Sequence, residues 1–422
     1  MPETPPSSKP HRRTALILWG LAATVCMFVV VVTVLALLSP ATSIGIQRDL
    51  FAELSTDIIK PTATQAITAI PATQISIATP STTPANTPEA ASTTEPTLTA
   101  TPPTLRLLFT GDINPGRCPA QVSLRRNDFT QPYLMVAEAL RAADLTVGSL
   151  DGSISDLSAP SPCPQTMNLI GPARSVEGLA FAGFDVMTVA TNHAKDCGSR
   201  GWNCNDGAFH DTLRNLSEAG ILSVGGGENL AEALAPLIVD AQGVRFAFIG
   251  VTSVGAETWA GEAAPGTAPL SDATLPLVAA AIGAARAQAD VVIVLAQWGT
   301  EYAALPDDSQ WRWAPLLVGA GADLVIGNHP HVVEPVEVFE AVDGVPGGVV
   351  AYALGNFVFD QGPWETRQGV VFEATFSGST LTAWRLLPIH IYSLYQPNWA
   401  EAAEAAEILA RVEAAGERLR ER

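Results

Sequence analysis

The sequence predicts an α/β domain from residue 105 towards the C-terminus. Strand-length apolar runs alternate with helix-length segments there, the signature of repeated βα units. Several of those runs end on aspartate, asparagine or histidine, and in open α/β folds sites lie at the carboxyl ends of strands. Three late runs follow one another without helices, which adds antiparallel pairing to the expected sheet.

Taken in order, the chain opens with polar residues 1–13, a cytoplasmic tail carrying Lys9, Arg12 and Arg13. Residues 14–38 are apolar and uncharged. A helix needs ~20 such residues to span a bilayer, and basic residues on the N-terminal side place that side in the cytoplasm. Ser39-Pro40-Ala41 resembles a cleavage site, but the run is long for a signal peptide, so an uncleaved anchor is expected. Residues 47–59 could form a short amphipathic helix. Residues 61–104 are rich in Thr, Pro, Ala and Ser, with Glu89 and Glu95 their only charges. Such a composition cannot bury a core, so 61–104 should be an extended, disordered stalk on the order of 100 Å long, within an extracytoplasmic linker of 39–104.

The domain then begins with a strand at 105–109, leading into Thr110-Gly111-Asp112. A helix at 131–143 precedes a strand at 144–150 that ends at Asp151. A helix at 176–182 precedes a strand at 184–190 that ends at Thr191-Asn192-His193. A helix at 210–219 and a strand at 244–251 follow. A helix at 272–288 leads to the strand 291–296, which ends at Gln297. A helix at 309–319 leads to the strand 324–326. Gly327 breaks that strand, and His329 and His331 follow it. Strands at 348–354, 369–376 and 380–391 come next. The domain is taken as 105–395, and the remainder, 396–422, as a C-terminal helix starting near Trp399.

With 422 residues, 47% of them hydrophobic, the chain can bury a sizeable core. A net charge of −19 and only three lysines (Lys9, Lys60 and Lys195) argue against nucleic acid, whose phosphates require basic surfaces. An anionic substrate would need a local positive site. Of five cysteines, Cys26 lies in the apolar run. Cys118, Cys163, Cys197 and Cys204 allow two disulfides in three pairings. The closeness of Cys197 to Cys204 favours that pair, leaving Cys118 with Cys163. A cysteine metal site is the rival reading, although no CxxC is present.

Asp112, Asp151, Asn192, Gln297, His329 and His331 all sit at strand ends. Carboxylate, amide oxygen and imidazole suit manganese, iron, zinc or magnesium. A shared carboxylate can hold two ions close together, and such a pair can activate water for hydrolysis of a phosphate ester. Each residue alone also has an ordinary reading, as a helix cap or a turn residue. Their recurrence after successive strands is what favours a metal site. His210 and His390 read as ordinary surface or core histidines.

Six blocks carry a family resemblance. They are Gly111-Asp112-Ile113-Asn114-Pro115-Gly116-Arg117, Leu150-Asp151, Thr191-Asn192-His193-Ala194-Lys195-Asp196-Cys197-Gly198, Gln297-Trp298-Gly299-Thr300-Glu301-Tyr302, Gly327-Asn328-His329-Pro330-His331 and Tyr352-Ala353-Leu354-Gly355-Asn356-Phe357. In this order, over residues 105 to about 390, the chain resembles the capsule-synthesis family named for a poly-γ-glutamate capsule protein, within the calcineurin-like metallophosphoesterase superfamily. The resemblance implies a two-sheet αββα sandwich and divalent metal ions (Mn, Fe or Zn, one or two per chain). It places metal ligands at Asp112, Asp151, Asn192, Gln297, His329 and His331. It makes His193 the catalytic histidine facing the scissile phosphate, with Asp196 orienting it. Arg117 could bind an anionic substrate group, with Lys195 and Glu301 also on the substrate side, although for Lys195 a solvated loop residue is the preferred reading.

Three positions depart from the family pattern: Asp151 where glutamate is usual, and Gln297 and Asn114 where histidine is usual. The departures bear on whether one ion or two are held. The implied activity is metal-dependent hydrolysis of a phosphoester, by a membrane-anchored extracytoplasmic protein serving an anionic surface polymer. The alternative is a non-catalytic component that binds such a polymer. A third reading is an amide hydrolase acting on a glutamyl polymer.

Overall fold

The computed structural model describes residues 102–163, 167–197 and 204–422. The expected anchor and nearly all of the expected stalk lie outside them. Among the described residues no helix is long and apolar enough to cross a membrane.

Alternation of apolar residues along the strands builds two sheets. The first begins with β1 (Thr104–Ile113), β2 (Leu145–Leu150), β3 (Val186–Thr188) and β4 (Leu222–Val224). The second contains β5 (Leu237–Ala241), β6 (Val244–Thr252), β7 (Val291–Gln297), β8 (Leu324–Asn328), β9 (Val336–Phe339) and β10 (Gly348–Ala351). The chain then returns to the first sheet through β11 (Asn356–Val358), β12 (Gln368–Ser377), β13 (Thr380–Tyr392) and β14 (Gln396–Trp399). The first sheet runs β14-β13-β12-β1-β2-β3-β4, with β11 also pairing β1; the second runs β9-β10-β8-β7-β6-β5. Strands β1 to β4 are mutually parallel, as are β6, β7, β8 and β10.

Helices α1 (Arg117–Arg126), α2 (Ala137–Arg141), α3 (Ser175–Ala182) and α4 (Gly207–Glu218) accompany the first sheet. Helices α5 (Leu230–Ala233), α6 (Leu275–Arg286) and α7 (Asp308–Gly319) accompany the second, and α8 (Ala402–Arg420) closes the chain. Three cores define the layers. Leu107 and Phe109 of β1 meet Phe246 and Phe248 of β6 and Ile293 of β7 between the sheets. The opposite face of β6, Ala247 and Ile249, packs under Val278 and Ile282 of α6 and Leu317 of α7. Leu108 and Met187 face Leu140, Leu179 and Leu216 on the other side. Period-two strands buried on both faces therefore give a helix–sheet–sheet–helix sandwich. Burying one Leu- or Phe-sized side chain contributes roughly 1.5–3 kcal/mol, so three such cores carry most of the stabilisation.

Several elements differ from expectation. The helix expected at 131–143 is split into a 3₁₀ turn, Gln131–Tyr133, and the short α2. Tyr133 is buried edge-on against Phe184, a packing demand that overrides helical continuation. Helix α1 was not foreseen, because its sequence has little apolar periodicity and holds Pro119. The late strand at 348–354 contributes only β10, which joins the second sheet parallel to β8. Antiparallel pairing of late neighbours holds for β12 and β13. Residues Gln396–Trp399 form a strand against β13, and the final helix starts at Ala402. Cys118–Cys163 and Cys197–Cys204 are both disulfides, with Cα separations of 4.5 and 5.7 Å, inside the usual range of about 4.4–6.8 Å.

Candidate metal centre

The carboxyl ends of the parallel strands from both sheets converge on one point. Asp112 is the ninth residue of β1, and Asp151 follows β2. Gln297 ends β7, and His329 and His331 follow β8. The backbones of these strand ends pass very close together. A Cβ on Gly111 would lie 1.9 Å from the Gly355 carbonyl oxygen, and one on Gly327 would lie 1.9 Å from that of Tyr352. Only glycine fits at either place.

The turn after β8 is strained: His329 has φ 98° and His331 φ 61°, both in the left-handed region. Such backbone costs about 1–3 kcal/mol per residue and persists where surrounding contacts enforce it. Here it turns both imidazoles inward. Ligating atoms of Asp112, Asp151 and His331 lie within 4.8 Å of one another, and all three residues are buried. Asn356 fixes the His331 ring through its Oδ1, 2.9 Å from Nδ1. Ser149 donates to Asp112 Oδ1 at 3.1 Å and the backbone of His329 donates to Oδ2, also at 3.1 Å.

Burial pushes the Asp112 carboxyl well above the usual carboxylate range, and the charge of Asp151 adds to this. Asp151 is pushed up to about 6, again chiefly by burial. Two buried carboxylates side by side call for a cation. Asp151 Oδ2, Asn192 Oδ1 and His329 Nδ1 are buried and have no hydrogen-bond partner among the described residues. Buried polar atoms are normally satisfied, so three orphaned donors of metal-ligand type fit a divalent ion. Burial and the neighbouring His193 lower the basicity of His329 to about 4, and burial together with His329 lowers His331 to about 3. Both imidazoles are thereby neutral, as ligation requires.

His193 stands beside this group, its Nδ1 2.7 Å from Asp196 Oδ2. That carboxylate oxygen also accepts from the Leu169 backbone at 2.6 Å, which fixes its direction. Burial disfavours the imidazolium, but Asp151 and the hydrogen bond to Asp196 outweigh it and hold the group at about 9.

Other expected site residues sit differently. Gln297 donates from Nε2 to Asp151 Oδ1 at 3.4 Å, and its Oε1 lies 3.5 Å from Ser149 Oγ, so the amide works within the protein. Asn114 accepts from Gly116 and donates to Asp360. Lys195 is neither solvated nor aimed at the centre. Its Nζ is 2.7 Å from the Pro265 carbonyl and 2.9 Å from Asp206, because the loop after β3 needs that cation as a tie. Glu301 lies 4.0 Å from His331 Nε2 and is partly exposed. His390 is a core histidine, as expected, buried and bonded to Glu404 at 2.7 Å.

Asp360 was not foreseen. It is buried and pairs with Arg117 through both carboxylate oxygens, while also accepting from the Cys118 backbone at 3.2 Å. Arg117 lies over the Phe359 ring, and that ring is 4.8 Å from His331. Ser149 and Asn356 were missed as well. Asn356 lies inside a block of the family pattern, whereas Ser149 and Asp360 carry no local signal. Asp360 is also near the Cys118 and Cys163 sulfurs, but these are joined in a disulfide and are not available to a metal.

The family described as "Bacterial capsule synthesis protein PGA_cap" matches residues 106–361. The PGA biosynthesis protein CapA of Bacillus subtilis (strain 168) is 31% identical over 287 residues, covering 67% of this chain and 71% of the relative. The capsule biosynthesis protein CapA of Bacillus anthracis is 28% identical over 291 residues, covering 68% and 67%. Among solved structures, a 5'-nucleotidase precursor from Thermus thermophilus aligns with a TM-score of 0.40 at 16% identity, covering 74% of this chain and 59% of that one. With its match running from β1 to just past the aspartate that grips Arg117, the chain belongs to the bacterial capsule synthesis family PGA_cap.

Proposed function

We propose that this protein is a metal-dependent hydrolase of a phosphoester or related bond, acting in capsule synthesis of the poly-γ-glutamate type. The observation that carries the reading is the buried trio Asp112, Asp151 and His331 beside the orphaned donor atoms of Asp151, Asn192 and His329. Asp112, Asp151 and His331 would hold one ion, with Asn192 and His329 extending the set from Asp151. Bound there, a divalent ion supplies Lewis acidity and lowers the pKa of water.

The remaining chemistry belongs to side chains of this chain. His193, its Nδ1 held by Asp196, is placed to deliver a proton to the leaving oxygen as the P–O bond breaks and water adds to phosphorus, the proton shed by that water returning to the imidazole. Asp196 holds the imidazole in the tautomer and direction this needs. Arg117, gripped by Asp360, places a fixed guanidinium by the centre for an anionic group. The apolar run 14–38 would anchor the protein with its domain outside the cytoplasm, where two disulfides are at home.

A second reading has its own observation. Gln297 and Asn114, at positions where histidine is usual, use their polar atoms inside the protein. That favours a centre that binds an anionic polymer without cleaving it. Metal content separates the two readings. The full chain, loaded with manganese or zinc, should retain about one or two equivalents by elemental analysis, and His329→Ala should lose both metal and phosphodiester turnover. Retained metal without turnover would move the assignment to polymer binding. Absence of metal after loading would sink the hydrolase.

A further inference from the structure

Tyr302 is a wall with two sides. One side faces His331, the ring centroids 6.0 Å apart. The other lines a groove of about 460 Å³ outside the metal centre. Across the groove lie Ile408, Arg411 and Ala415 of α8, while Val333 and Thr366 complete the near side.

The groove adjoins the metal centre at three points. Val332 and Val333 follow His331 directly in the chain. The Thr366 carbonyl accepts from Asn356 Nδ2 at 2.8 Å, and the same Asn356 holds His331. Tyr302 itself is fixed in place. Its φ of 64° is a left-handed conformation costly for an aromatic residue. Its N–H donates to the Pro330 carbonyl at 2.8 Å, and its hydroxyl accepts from Gln361 at 3.2 Å. A strained, exposed tyrosine held at both ends therefore forms the rim shared by the groove and the His331 side of the centre.

The lining decides what the groove can take. Most of it is valine, isoleucine, alanine and proline, and its charged members, Glu365 and Arg411, are one of each sign. Arg411 also donates to Gln368. Such a surface has no net attraction for a polyanion, whereas an apolar chain would lose its water there. The volume lies within the range of about 300–1,000 Å³ found for small-molecule sites.

We propose that this groove binds the apolar part of an amphiphilic phosphoester, such as an alkyl or isoprenyl phosphate, whose anionic head lies at the Asp112–Asp151–His331 centre. The proposal deepens the hydrolase reading and rests on it for the position of the head.

The test uses the full chain in lipid nanodiscs with Mn²⁺, and empty nanodiscs as the blank. Binding of n-alkyl phosphonates, from methyl to octyl, is measured by calorimetry. Affinity should rise roughly two- to fourfold per added methylene, the gain expected for burying each CH₂. Ala415→Trp fills the groove from α8, and Ala304→Trp fills it from an exposed loop where folding is not at stake. Both should flatten the series, with thermal melts confirming the fold. A flat series in the wild type, or an unchanged slope in both variants, would overturn the proposal. Turnover of a small phosphodiester is read in parallel. A rising series without turnover keeps the groove as an amphiphile site and removes the hydrolase. Turnover with a flat series removes the groove alone.

Discussion

The backbone N–H of His329 donates to Oδ2 of Asp112 at 3.1 Å, across 217 residues of sequence. Asp112 belongs to β1 of the first sheet and His329 follows β8 of the second. This bond joins the two sheets at the mouth of the sandwich. Both residues are candidate metal ligands, so the centre and the seam between the sheets are one structure. Changes at the site should therefore be tested for folding as well as for chemistry.

Asp196 acts on the centre through His193, whose imidazole it aims. Asp196→Asn should slow phosphodiester hydrolysis about 10–100-fold while bound metal, read by elemental analysis, stays at the wild-type level. Equal loss of metal and rate would mean that Asp196 supports the loop and not the imidazole.

Asp360 neutralises Arg117 in a buried pair, their side chains 0% and 11% exposed. Asp360→Asn removes this carboxylate from the buried guanidinium and should cost about 3–5 kcal/mol in urea unfolding. Asp360→Asn combined with Arg117→Met, which removes both charges, should recover a large part of that loss. No recovery would place the importance of Asp360 in its bond to the Cys118 backbone.

The two disulfides close loops of different length, with sequence separations of 45 and 7. By loop-closure entropy, losing Cys118–Cys163 should cost about 4 kcal/mol and losing Cys197–Cys204 about 2 kcal/mol. Paired serine variants, compared by chemical denaturation, measure the order directly. A reversed order would show that the loop after β3 depends on its disulfide for more than chain entropy.

Glu334 is buried, with Oε2 accepting from Gln310 at 2.7 Å and Oε1 without a partner among the described residues. Burial pushes its carboxyl up to about 8 from 4.5. Between those values the folded protein keeps a proton that the unfolded chain releases, so stability falls as pH rises through this window. The penalty is about 1.4 kcal/mol for each unit of separation. Glu334→Gln should match the wild type near pH 4 and exceed it in melting temperature at pH 8. A constant difference across that range would show that the carboxyl does not titrate in the fold.

Strand periodicity made much of the framework legible. The runs that became β1, β2, β6, β7, β8, β12 and β13 alternate or stay apolar for local reasons, and local patterns survive in sequence. Helix α1 and the break before α2 escaped because packing around Tyr133 and the Cys118 disulfide, not propensity, shapes them. The strand 348–354 read like its neighbours, since an apolar run does not say which sheet will take it.

By itself, then, the sequence determined the α/β class, the anionic character that disfavours nucleic acid, and ligand-type residues placed at strand ends. Those follow from composition and short-range spacing. The tertiary structure alone decided which side chains meet. It brought Asp360 to Arg117 across 243 residues, turned Gln297 and Asn114 to partners inside the protein, and tied Lys195 to the Pro265 loop. It also set a groove beside Tyr302, built from α8 and three segments distant from it in sequence, 302–304, 332–333 and 363–366. Contacts of that range depend on how two twisted sheets pack face to face, and no short stretch of chain encodes that geometry.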